Sequence, residues 1–139
     1  MNEIEITKYL ESDPLTSLKF RGVMSYDEFC CVYEDMGLFV VNLDASTGPG
    51  SHWVCLYLKP EISEYFDSLG NAPHKLESFL LDRGCQYIYN SKKLQSEKSD
   101  VCGDFCILFS FLRCRGITLE KFLSLFSDDL ILNDEMVKL

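Results

Sequence analysis

The chain has 139 residues, 47% of them hydrophobic and 25% charged, with a net charge of −9. That length supports one sizeable core, so a single domain over 1–139 is expected. The acidic balance argues against DNA or an anionic membrane as partner, and no apolar run approaches the ~20 residues of a membrane-spanning helix.

Met1-Asn2-Glu3-Ile4-Glu5 has no feature of a secretory leader, which predicts an intracellular, non-secreted protein. Residues 3–11 read as a short helix, although the alternation over Ile4–Thr7 also suits a strand. Ser25 and Glu28 stand at capping-box spacing and open a helix carrying Phe29, Val32 and Tyr33. The run from Leu38 to Leu43 predicts a buried strand, and residues 44–51, with Gly48, Pro49 and Gly50, predict a loop. Strands follow over 53–58 and 62–66, then a turn at Gly70-Asn71 and a helix from about 73 to 81. Residues 86–90 read as a further strand, and 91–101 as a polar loop. From 103 to 115 the sequence is apolar almost all round, as in a helix at the centre of a domain, with Gly116 placed to end it. Arg113 and Arg115 suit its negative end, and a last helix covers about 119–126. The expected fold is α+β: a mixed sheet of about four to five strands packed on the central helix, with flanking helices.

Seven cysteines (30, 31, 55, 85, 102, 106 and 114) raise the question of disulfides. Their number is odd, no leader is evident, and most lie in apolar runs, so reduced thiols are expected, with Cys30, Cys55, Cys106 and Cys114 buried. Zinc is not expected, because Cys102 and Cys106 share an apolar helix and neither histidine has a second ligand at metal spacing.

Cys102 differs from the other thiols. It opens the central helix, where unpaired N–H groups and the helix dipole favour an anion, so its thiol is suited to ionise and attack. Gly103 behind it would let a substrate approach the backbone closely. His52 follows the Gly/Pro loop at the start of a strand, a position from which an imidazole can act as base. Trp53 beside it would wall a substrate channel or fill the core. Asp67 ends an apolar strand, where an acid either caps a turn or orients a histidine. Gln95 offers an amide that could stabilise an oxyanion. Asp104 brings a second negative charge near the thiol, and His74 reads as a surface residue.

His52-Trp53, Tyr65-Phe66-Asp67-Ser68-Leu69-Gly70, and Gln95 followed by Cys102-Gly103-Asp104-Phe105-Cys106 together resemble the adenoviral endopeptidase (adenain) family, in the clan shared with SUMO-specific proteases. The resemblance covers about residues 3–115. It implies a cysteine endopeptidase with Cys102 as nucleophile, His52 as base, Asp67 orienting His52 and Gln95 as oxyanion donor. It further implies a virus-type maturation protease that cleaves viral precursor proteins after glycine-containing segments. It would act in the host nucleus or cytoplasm, or in the virion, as a monomer and without a cofactor. Adenoviral members carry Glu at the position of Asp67, whereas SUMO proteases carry Asp. Adenoviral enzymes also take a disulfide-linked activating peptide, and Cys85 lies near the corresponding cysteine. The alternatives are a deconjugating protease for ubiquitin-like modifiers and an inactive interaction domain on the same fold.

Overall fold

The computed structural model describes residues 1–44 and 52–139, so the expected loop lies, apart from Asp44, outside the described residues. One sheet contains β1 (Phe20–Ser25), β2 (Gly37–Asn42), β3 (Trp53–Leu58), β4 (Ile62–Phe66) and β5 (Gln86–Tyr89), in that spatial order. The outer pairs β1–β2 and β4–β5 are parallel, and the two central pairs are antiparallel. The helices are α1 (Glu3–Ser12), α2 (Pro14–Ser17), α3 (Tyr26–Phe29), α4 (Glu77–Asp82), α5 (Cys102–Arg113), α6 (Leu119–Leu123) and α7 (Leu130–Val137). This is the expected α+β architecture with a five-strand mixed sheet.

Every residue of β2 and β3 is buried, because both faces of the sheet are covered. Val40, Cys55 and Phe66 pack with Ile6 of α1, Phe105 and Phe109 of α5 and Phe122 of α6. Phe39, Val41, Leu56 and Tyr65 face the other way, onto Phe29 of α3 and Leu80 of α4. A strand buried on both faces reads as a continuous apolar run, which made these two strands legible in the sequence.

Helix α5 packs on β3 and is fastened to β4 at two points. Phe66 stacks on Phe109 with centroids 4.7 Å apart, and Phe122 meets both rings edge-on. At its far end Arg113 forks the buried Glu64 carboxylate through two 2.9 Å bonds, and Lys59 adds a third at 2.7 Å. Arg113 is therefore occupied across the interface rather than by its own helix carbonyls, while Arg115 does reach the Phe111 carbonyl.

Four sequence expectations need correction. Strand β1 was not anticipated; Val23 and Ser25 are its only buried positions, so it carries no clear apolar pattern. Glu28 accepts from the backbone and hydroxyl of Ser25, as a capping box should, yet α3 stops after one turn. Three-residue bonds from Cys31 and Val32 tighten the chain out of the helix, leaving Tyr33 96% exposed and Cys30 on the surface rather than buried. Helix α4 begins at Glu77 instead of about residue 73. Helix α7 was missed because its pattern is inverted: Asn133 and Asp134 are buried, while Ile131, Leu132 and Met136 face outward.

Candidate active site

The sheet and α5 bring three of the expected residues to one point. His52 immediately precedes β3, Asp67 immediately follows β4, and Cys102 is the first residue of α5. Because β3 and β4 are antiparallel neighbours, the start of one lies beside the end of the other. Helix α5, packed on β3, then sets Cys102 beside His52.

His52 Nε2 lies 2.7 Å from Asp67 Oδ1, with Asp67 1% exposed. The same carboxylate oxygen accepts the Leu69 N–H at 2.8 Å, so the acid both caps its turn and holds the histidine. With Nε2 donating to Asp67, Nδ1 is the ring nitrogen left for another partner. Burial opposes charging of His52, but its bonds to Asp67 and Cys102 outweigh burial and raise its pKa to about 9. For Cys102, burial raises the thiol pKa, while His52 and the backbone N–H groups of Trp53 and Gly103 pull it down, for a net lowering. Val101, at the helix N-cap, gives α5 no side-chain cap, and the Gly103 N–H at the helix start serves the sulfur. Each of the two groups therefore favours the charged form of the other.

Gln95 is 3% exposed and lies in the loop feeding α5. Its Oε1 accepts from the Ser68 hydroxyl at 2.5 Å, and its Nε2 donates to the Ser99 carbonyl and hydroxyl, each at 3.1 Å. Both donors of the amide thus face Ser99 in this arrangement. The loop is gripped from either side. The Ser68 carbonyl accepts the N–H groups of Leu94 and Gln95, Asn133 donates to the Leu94 carbonyl, and Asp134 receives the Ser96 backbone and hydroxyl. Gly70, at φ +75°, permits this packing, since a Cβ there would meet the Ser91 carbonyl at 2.8 Å.

The other expected residues have different neighbours. Trp53 is 8% exposed and donates its indole N–H to the Met1 carbonyl at 3.1 Å. A Cβ on Gly103 would meet Met1 at 3.2 Å and Ile6 at 3.4 Å, so the close approach this glycine serves is to the amino-terminal segment. Asp104 accepts the Leu139 N–H at 2.9 Å. Cys85 is half-buried just before β5, at the strand end opposite Asn90. Cys55 and Cys106 are buried, with Cys55 Sγ 3.5 Å from the Cys106 carbonyl. His74 is exposed.

Sequence reasoning missed the supporting groups: Ser68, Ser99, Asn133, Asp134 and the Trp53 backbone N–H. It also missed Asn90, 1% exposed, whose carboxamide bonds both backbone groups of Asp67. The one available signal was a carboxamide at the close of an aromatic strand.

No protein-family model matches the chain. A segment of 77 residues is 31% identical to the cysteine protease S273R of African swine fever virus, covering 52% of this chain and 25% of that protein. The crystal structure of the African swine fever virus pS273R protease superposes with a TM-score of 0.61 at 17% identity, over 96% of this chain and 64% of the other. A structure of the SUMO protease Ulp1 gives 0.53 at 13% identity, over 96% and 74% respectively. The chain thus spans under two thirds of the viral protease structure and aligns with a quarter of the curated relative. Its fold is that of the SUMO protease and S273R group; these matches do not single out the adenoviral branch.

Proposed function

We propose that the protein is a cysteine endopeptidase in which Cys102 is the nucleophile, His52 the general base and acid, Asp67 the residue orienting His52, and Gln95 an oxyanion donor. The observation carrying this reading is the 2.7 Å His52–Asp67 contact beside a thiol whose pKa is lowered at an uncapped helix start. The similarity to a viral cysteine protease over half the chain supports it.

In the first step the Cys102 thiolate attacks the scissile carbonyl carbon, forming a C–S bond and an oxyanion. Collapse breaks the C–N bond, and imidazolium His52 gives its proton to the departing amine. His52, now neutral, takes a proton from water as that water attacks the thioester, and the thiolate leaves. Asp67 keeps Nε2 engaged throughout. Gln95 serves the oxyanion once one of its two N–H bonds turns from Ser99 to the substrate oxygen.

The substrates proposed are viral precursor proteins cut after a glycine-containing segment. Cys102 is only 6% exposed, so the residue preceding the cut must be slim enough to bring its carbonyl to a recessed sulfur. The shared fold with Ulp1 gives the second reading, deconjugation of a ubiquitin-like modifier. The test is cleavage of a peptide library and of ubiquitin-like fusions by the wild-type protein and Cys102→Ala. Cleavage after small residues in peptides, absent in the variant, upholds the first reading. Cleavage confined to the fusions favours the second, and undiminished cleavage by Cys102→Ala overturns both.

A further inference from the structure

The β4–β5 ladder runs in parallel register from Ile62↔Gln86 to Tyr65↔Tyr89 and stops there, because the chain after Asn90 must leave the sheet to become the loop that delivers Cys102. Asp67 therefore lies just past the last paired residue, where its backbone would lose its neighbour. The Asn90 side chain takes the neighbour's place. Its Oδ1 accepts the Asp67 N–H at 3.0 Å, and its Nδ2 donates to the Asp67 carbonyl at 2.6 Å and to the Lys92 carbonyl at 3.1 Å. A carboxamide presents one acceptor and a pair of donors, so it can mimic a peptide unit and extend the ladder while the main chain departs. No other standard side chain fits both roles here: Asp lacks the donor, Ser is too short to span both groups, and Gln is one methylene too long.

We propose that Asn90 is a positioning residue for the catalytic pair, fixing the Asp67 backbone so that the carboxylate stays on His52 while the adjoining chain turns toward Cys102. This rests on the peptidase reading for its consequence in catalysis, but not for its geometry. Asp67 makes its contact through one oxygen, Oδ1, which also serves Leu69, and Oδ2 has no partner among the described residues. The Leu69 N–H and His52 hold that one oxygen, and the backbone clamp fixes the turn from which the carboxylate projects. Asn90 directly follows β5 and Lys92 lies in the loop beyond it, so the same carboxamide also ties the start of that loop to the acid.

The chain has two histidines, His52 and exposed His74, so proton NMR can follow each imidazole separately. The experiment titrates both rings in the wild-type protein, Asn90→Ala and Asn90→Ser, with circular dichroism and thermal melting alongside, and peptidase kcat and KM on the same samples. The groups facing His52 are Asp67 and Cys102, so each titration is repeated in Cys102→Ala to separate the acid's influence from the thiol's. The expected result is that the His52 midpoint falls by about one unit or more in both variants while His74 stays, with kcat reduced and KM little changed. Folded variants that melt earlier but leave the His52 midpoint unmoved would overturn the proposal. Failure of both variants to fold would overturn it too, since Asn90 would then be a residue of the sheet alone. A lowered midpoint in a wild-type background without peptidase activity would uphold the positioning and sink the function proposed above.

Discussion

Ser68 gives its hydroxyl to Gln95 Oε1 at 2.5 Å, one residue after the carboxylate that holds His52. A single turn, Asp67 to Gly70, thus governs both the histidine and the loop that precedes Cys102. Removing the hydroxyl should loosen the loop without touching Cys102. Ser68→Ala is predicted to lower kcat by roughly tenfold, about 1.4 kcal/mol, which is the scale of one hydrogen bond to a neutral group. Gln95→Ala should lose more, roughly 10²–10³, as expected for an oxyanion donor. Steady-state kinetics on a peptide substrate decide it. A silent Gln95→Ala would mean that the amide serves only Ser99.

The pH profile should be bell-shaped. The proposed mechanism needs Cys102 ionised, which its lowered pKa allows below the ordinary value of 9.0, and needs His52 protonated, which holds until pH passes about 9. Activity therefore rises through the lowered thiol pKa and falls through the imidazole pKa. Asp67→Asn removes a charge that raises the His52 pKa, so the alkaline limb should move to lower pH. The profile of kcat/KM for the two proteins tests this. An alkaline limb unchanged by Asp67→Asn would mean that the acid does not hold the histidine.

Fold stability should depend on the Glu64–Arg113 contact across the far end of α5. Burial opposes ionisation of Glu64, but Arg113 and Lys59 more than offset it and hold the carboxyl below its usual 4.5. A lowered folded-state pKa adds stability that is present above the unfolded value and is lost as pH falls through the folded one. Arg113→Ala leaves a carboxylate only 4% exposed with Lys59 alone, so it should destabilise by about 3–5 kcal/mol, a loss that shrinks in acid. Urea melts at neutral and acidic pH measure both parts. A loss that stayed the same in acid would assign the effect to packing of the guanidinium over Tyr57 instead.

Phe109→Ala should cost about 3–5 kcal/mol, because it removes the ring that stacks on Phe66 and meets Phe122. Phe66 adjoins Asp67, so the variant should also slow catalysis if α5 places Cys102 relative to the acid. Chemical denaturation together with kcat gives the answer. Full activity in a destabilised variant would show that the pair is positioned without this stack.

The sequence was most legible where burial is complete. Phe39 to Val41 and Val54 to Leu58 announced central strands, and the all-apolar face of α5 announced a helix inside the domain. His52, Asp67 and Cys102 could be grouped because each sits at the end of an element, where a polar residue against an apolar run stands out. What stayed hidden depends on contacts distant in the chain. Nothing local tells that Arg113 would fork Glu64, or that Asn133 and Asp134 would turn inward to grip the loop around Gln95. Asn90 looked like the end of a strand, and only the ladder shows that its side chain continues the pairing.

If Cys102 is an ionised nucleophile paired with His52, it should outcompete the other thiols for an alkylating agent. Protein treated with limiting iodoacetamide at about pH 6, below the range where an ordinary thiol ionises, is digested and the modified cysteines are identified by mass. Cys102, although buried, should be labelled ahead of the exposed Cys30 and Cys31, and His52→Ala should abolish this preference. Labelling of Cys30 or Cys31 first, with Cys102 indifferent to the loss of His52, would contradict it.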